Sequence, residues 1–132
     1  MPNWCNNTLH VIGPKEEKER FARIAAKKHD YGKDAEPTNF NLHALLLEAG
    51  IKKERVERCV WAFYGERINY KDSRLFYTYQ SKWCPPIEAL AKISEAFPRL
   101  RFKIYYDEPG NQFRGKGDIQ AGEVLKHEET NY

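Results

Sequence analysis

The chain has 132 residues, of which 41% are apolar, 14% aromatic and 31% charged, and its net charge is +3. That length suits one domain, spanning 1–132, around a single core, and so small a positive charge does not by itself mark a nucleic-acid binder. Three cysteines, Cys5, Cys59 and Cys84, stand far apart with no Cys-x-x-Cys pair, so neither a disulfide frame nor a structural zinc is expected. No apolar run approaches the roughly 20 residues of a bilayer span. Met1-Pro2-Asn3 lacks the pattern of a secretion signal, so a cytoplasmic protein with no membrane partner is expected.

"WCNNTLHVIG" reads as a strand with Leu9 and Val11 on one face and Thr8, His10 and Ile12 on the other. Gly13-Pro14 ends it and opens a helix, "KEEKERFARIAAKKH", whose Phe21, Ile24, Ala25 and Lys28 share one side. Glu16 and Glu17 at its start and Lys27 and Lys28 at its end suit the helix dipole. Asp30–Asn39 is a loop of turn formers. "NFNLHALLLEAG" is a short helix, capped by Asn39 or Asn41 and stopped by Gly50. A second helix, "KKERVERCVWAFYG", repeats Val56, Cys59, Val60 and Phe63 at helical spacing. Cys59 is then a small buried residue rather than a nucleophile.

"ERINY" and "RLFYTYQSKW" read as two strands rich in β-branched and aromatic residues. Pro85-Pro86 starts a helix that carries Ile87, Leu90, Ile93 and Phe97 on one side and closes at Pro98. "LRFKIYYDE" alternates Phe102, Ile104 and Tyr106 with Arg101, Lys103 and Tyr105. A Gly-rich hairpin follows over about 111–128. Without that hairpin and a two-helix insert at about 39–65, the order is β-α-β-β-α-β. The expected fold is therefore α+β: a ferredoxin-like antiparallel sheet with its main helices on one face and the other face open.

Four stretches resemble the YubB-type ferredoxin-like domain family. These are "MPNWCNNTLHVIGP", "YGERINY", "FYTYQSKWCPP" and "FPRLRFKIYYDEPGNQFRG", through Trp4, Cys5, Asn7, Leu9, Gly13, Pro14, Trp83, Pro85, Pro86, Phe97, Pro98, Tyr106, Glu108, Gly110, Phe113 and Gly115. Tyr64 and Ile68 depart from that pattern, which has Trp at both positions. The resemblance implies the fold and an origin in plasmids, phages or integrated elements. It implies no reaction, because that family has none established, and fold alone supplies none.

The chemistry-bearing residues read mostly as structural. His10 lies about 16 Å along an extended strand from Cys5, too far to activate it. Asn6 and Asn7 serve the strand's own backbone. Cys84 stands at a helix start, which lowers a thiol pKa, but Pro85 and Pro86 remove two of the amide donors. Asp107, Glu108, Asp118 and Glu123 read as exposed turn acids without metal spacing, and His10, His29, His43 and His127 share no ligand spacing. Neither a catalytic residue, a metal nor a cofactor is assigned. The open sheet face carries the functional expectation, with Tyr77, Tyr79, Arg101, Lys103 and Tyr105 on it and Trp83 at its rim. The expected function is non-enzymatic binding of another protein. Single-stranded nucleic acid is the alternative partner, and an enzyme using Cys84 or the acidic turn is a third reading. A second copy of the chain would also cover such a face.

Overall fold

In a computed structural model of the protein, the described residues are 3–26, 40–50, 63–69, 75–82 and 85–132. Period-two alternation builds the first strand, β1 (Trp4–Ile12), which buries Cys5, Asn7, Leu9 and Val11 on one side. Gly13 then turns the chain at φ +151, and an added Cβ there would strike the Arg99 carbonyl and the Leu100 side chain. Only glycine allows that close approach without strain. Helix α1 (Lys15–Ala25) follows, with Phe21, Ile24 and Ala25 buried and Glu16 and Glu17 in its first turn. Helix α2 (Leu42–Glu48) begins at Asn41, whose side chain accepts the Ala44 N–H at 2.9 Å. That bond satisfies one of the free donors at the helix start.

Strands β2 (Phe63–Asn69) and β3 (Leu75–Lys82) come next, then helix α3 (Ile87–Ala96), then β4 (Arg101–Glu108), β5 (Phe113–Gln120) and β6 (Glu123–Asn131). The sheet order is β2-β3-β1-β4-β5-β6, and each of the neighbouring pairs is antiparallel. The expected ferredoxin-like α+β class is thus the observed one. The terminal hairpin extends the sheet by β5 and β6 and runs three residues further than expected.

A second boundary also differs from the sequence reading. Phe63, expected in the last turn of a helix, is the first residue of β2, opposite Gln80. The β3 edge offers its backbone a ladder, which outweighs a helical spacing of apolar residues. The rest of that expected helix, and the Asp30–Asn39 loop, lie outside the described residues.

The core lies between the helices and one face of the sheet. Leu9, Phe102 and Ile104 meet Phe21, Leu90 and Ile93 there, all fully buried. Phe21 is the hub, with ring centroids 5.4 Å from Phe97, 5.4 Å from Phe102 and 5.8 Å from Tyr77. Phe40, just before α2, stacks on Tyr79 at 4.6 Å. Among the described residues no helix is long and apolar enough to cross a membrane.

Candidate functional site

Strand register decides which side chains share a face. Thr8 of β1 pairs with Thr78 of β3 and with Tyr105 of β4, so these three point the same way. His10 pairs with Phe76 and with Lys103, and Asn6 with Gln80 and with Asp107. These residues, with Arg101 on β4 and Arg114, Lys116 and Asp118 on β5, make up the face that the helices do not cover. At its centre the His10 ring meets Phe76 edge-on at 4.0 Å and Tyr105 at 5.3 Å. Phe76 is nearly buried, whereas Tyr105 is 44% exposed. An open cleft of about 420 Å³ runs beside Tyr105, lined in part by Asn6, Thr8, Asp107, Arg114 and Lys116.

Three cations on this side of the sheet are paired with its own anions. Arg101 donates Nε to one Asp118 oxygen at 2.7 Å and a terminal nitrogen to the other. This two-pronged bond holds the Asp118 carboxyl below its ordinary range and raises the Arg101 guanidinium. Glu128 on β6 sits 3.6 Å from Lys116 and 3.1 Å from Lys126. The Arg114 guanidinium lies 5.4 Å from the Tyr132 ring. Arg101, Lys103 and Tyr105 therefore share one face, and two carboxylates, Asp118 and Glu128, answer three of the cations around them, Arg101, Lys116 and Lys126.

Tyr77 and Tyr79 do not belong to that face. Both point to the helix side, at 0% and 3% exposure, and pack in the core. The physical reason is parity: opposite Thr8 stands Thr78, so its neighbours 77 and 79 face the other way. The alternate residues of β3, Thr78 and Gln80, are polar, and that signal is present in the sequence. Trp83 and Cys84 lie outside the described residues. Asn6, Thr8 and His10 were not singled out as part of the face, because each is unremarkable until the register brings it beside Tyr105.

The opposite face ends, near the start of β1, in polar side chains. Asn7 is buried and donates to the Cys5 carbonyl at 3.1 Å and to Ser81 Oγ at 2.9 Å. Burial pushes the Cys5 thiol up to about 12, far from the range of a nucleophile. The acidic turn also differs from expectation. Glu108 is fully buried, and its Oε2 accepts the Asn111 N–H, closing the turn. Beside it the Tyr106 hydroxyl donates to Glu129 at 2.9 Å and lies 2.6 Å from His127 Nε2. Burial, and then the Glu129 carboxylate, raise the Tyr106 phenol above its ordinary range. Among the described residues no group of His, Cys, Asp and Glu side chains is arranged to hold a metal ion.

Comparison with known proteins gives two matches. The model of a family described as "Ferredoxin-like domain in Api92-like protein" matches residues 61–131. The crystal structure of the protein api92 from Yersinia pseudotuberculosis is similar over 100% of this chain and 99% of that one, with a TM-score of 0.61 and 11% identity. Such low identity carries the fold alone. No curated protein matches the chain by sequence.

Proposed function

The chain belongs to the family of ferredoxin-like domains in Api92-like proteins, and on that premise we propose that it is a non-catalytic module that binds another protein on the open face of its sheet. The carrying observation is Tyr105: a large side chain, 44% exposed at the centre of a sheet and packed beside His10. Exposed aromatics of this kind dominate protein contacts, at about 2 kcal/mol or more each when central. The internal pairing of Arg101, Lys116 and Lys126 with Asp118 and Glu128 favours a protein over a phosphate backbone, because paired cations release few counterions. The binding set becomes Arg101, Lys103 and Tyr105 with His10 and Thr8. The narrower kinship with YubB-type proteins and an origin in a mobile element belong to the same proposal and are tested by the neighbouring genes.

The test is retention of a partner from the protein's own host. Tyr105→Ala is expected to lose the partner, whereas Leu47→Ala, an exposed change on the helix side, keeps it. Equal retention by both variants contradicts the proposal. Labelled oligonucleotides provide the second arm. Micromolar binding that falls steeply with salt would move the assignment to single-stranded nucleic acid.

A further inference from the structure

Beyond the open face, the hairpin strand β6 is the terminal strand of the sheet, and all of Glu123–Asn131 is exposed. An exposed strand of this length offers unpaired N–H and C=O groups to another strand. The direction of those groups follows from one bond. The Tyr132 N–H donates to the Gln112 carbonyl at 2.8 Å, so residue 132 points its backbone inward, toward β5. Alternation along the regular run then turns 130, 128 and 126 inward and 131, 129 and 127 outward. The irregularity in the ladder lies between Asp118 and Ile119 and does not disturb this run.

We propose that β6 pairs antiparallel with β6 of a second copy of this chain, about a two-fold axis at His127. The charges select the register. With the axis at His127, Lys126 of each copy stands opposite Glu128 of the other, twice. With the axis at Lys126, Glu128 or Glu129, that residue meets its own copy, and like charges directly opposite are destabilising. His127 also has its backbone on the outward side, as a hydrogen-bonded pair at the axis requires. The exposed Val124 and Leu125, at 44% and 49%, then gain cover from the far end of the copy's strand. Such a two-fold axis runs perpendicular to the sheet, so both open faces lie on the same side and form one continuous twelve-stranded platform.

Sedimentation equilibrium tests this on the full chain. The wild type is expected at twice the chain mass of 15.6 kDa. Lys126→Glu alone and Glu128→Lys alone each place like charges opposite one another at both positions, and each is expected to sediment as a monomer. Mixing the two variants restores opposite charges at both positions and is expected to give a heterodimer. Far-ultraviolet dichroism establishes that each variant is folded. Glu129→Pro, which removes an outward N–H and leaves the β5 ladder intact, is expected to be a folded monomer. A wild-type chain that stays monomeric at about 100 micromolar, a concentration at which even an association of about −5.5 kcal/mol is substantially formed, overturns the proposal. So do folded single variants that remain dimers, or folded variants that fail to associate when mixed.

Discussion

The two faces of the sheet are made from the same strands yet do different physical work. On the helix side Phe21, Tyr77, Phe97 and Phe102 form a closed aromatic interior. On the open side Tyr105 leans against His10, within a mosaic of paired charges. The first face exchanges water for close packing and so carries stability. The second leaves an aromatic ring in water, which is useful when a partner comes to cover it. Neighbouring residues of one strand, Tyr105 and Tyr106, thus belong to different tasks.

The sharpest way to separate the faces is to truncate one large ring on each. Phe21→Ala is expected to cost about 3–5 kcal/mol, because it leaves a cavity among the rings of Phe40, Tyr77, Phe97 and Phe102. Tyr105→Ala is expected to change stability by less than about 0.5 kcal/mol. Urea unfolding reads both, and similar losses would erase the distinction.

A smaller effect is expected at Gly115. A Cβ there would collide with the Glu128 carbonyl and with the hydroxyl end of the Tyr106 ring. Gly115→Ala is expected to cost about 1–3 kcal/mol as Tyr106 is displaced. Thermal unfolding measures it, and an unchanged midpoint would show that the ring moves freely.

The sign reverses at Tyr79. Its hydroxyl is buried and has no hydrogen-bond partner among the described residues, and such a group costs about 1–3 kcal/mol of desolvation. Tyr79→Phe keeps the stack on Phe40 and is expected to stabilise by about 1 kcal/mol. A destabilised variant would mean that the hydroxyl is satisfied.

The least effect concerns the open face alone. Asp118 is held below its ordinary range by Arg101. A depressed carboxylate stabilises the fold above its unfolded value and loses that contribution as pH falls through the folded value. Asp118→Asn is therefore expected to be slightly less stable at neutral pH and to lose less stability on acidification than the wild type. Parallel pH profiles for the two proteins would show that the pair contributes nothing.

These contrasts also mark what the sequence made legible. Alternation within a strand was readable: Leu9 and Val11, and Phe102 and Ile104, are buried as their spacing required. The helix start, read as Asn39 or Asn41 and found at Asn41, and the tight turn at Gly13 were readable from local chemistry. The phase between strands was not, because it depends on which residue of β3 stands opposite Thr8. Placing Tyr77 and Tyr79 beside Tyr105 was an error of that phase. The polar pair Thr78 and Gln80 carried the correcting signal. Glu108 shows a second limit, since an acid in a turn gives no local hint that the turn will fold around it.

The division of the sheet into a buried face and an open face is tested most directly by residue-resolved nitration of the native protein, read by mass spectrometry. Tyr105 is expected to react while Tyr77 and Tyr79 stay protected until the chain is unfolded. Native modification of Tyr77 or Tyr79 ahead of Tyr105 would contradict the account.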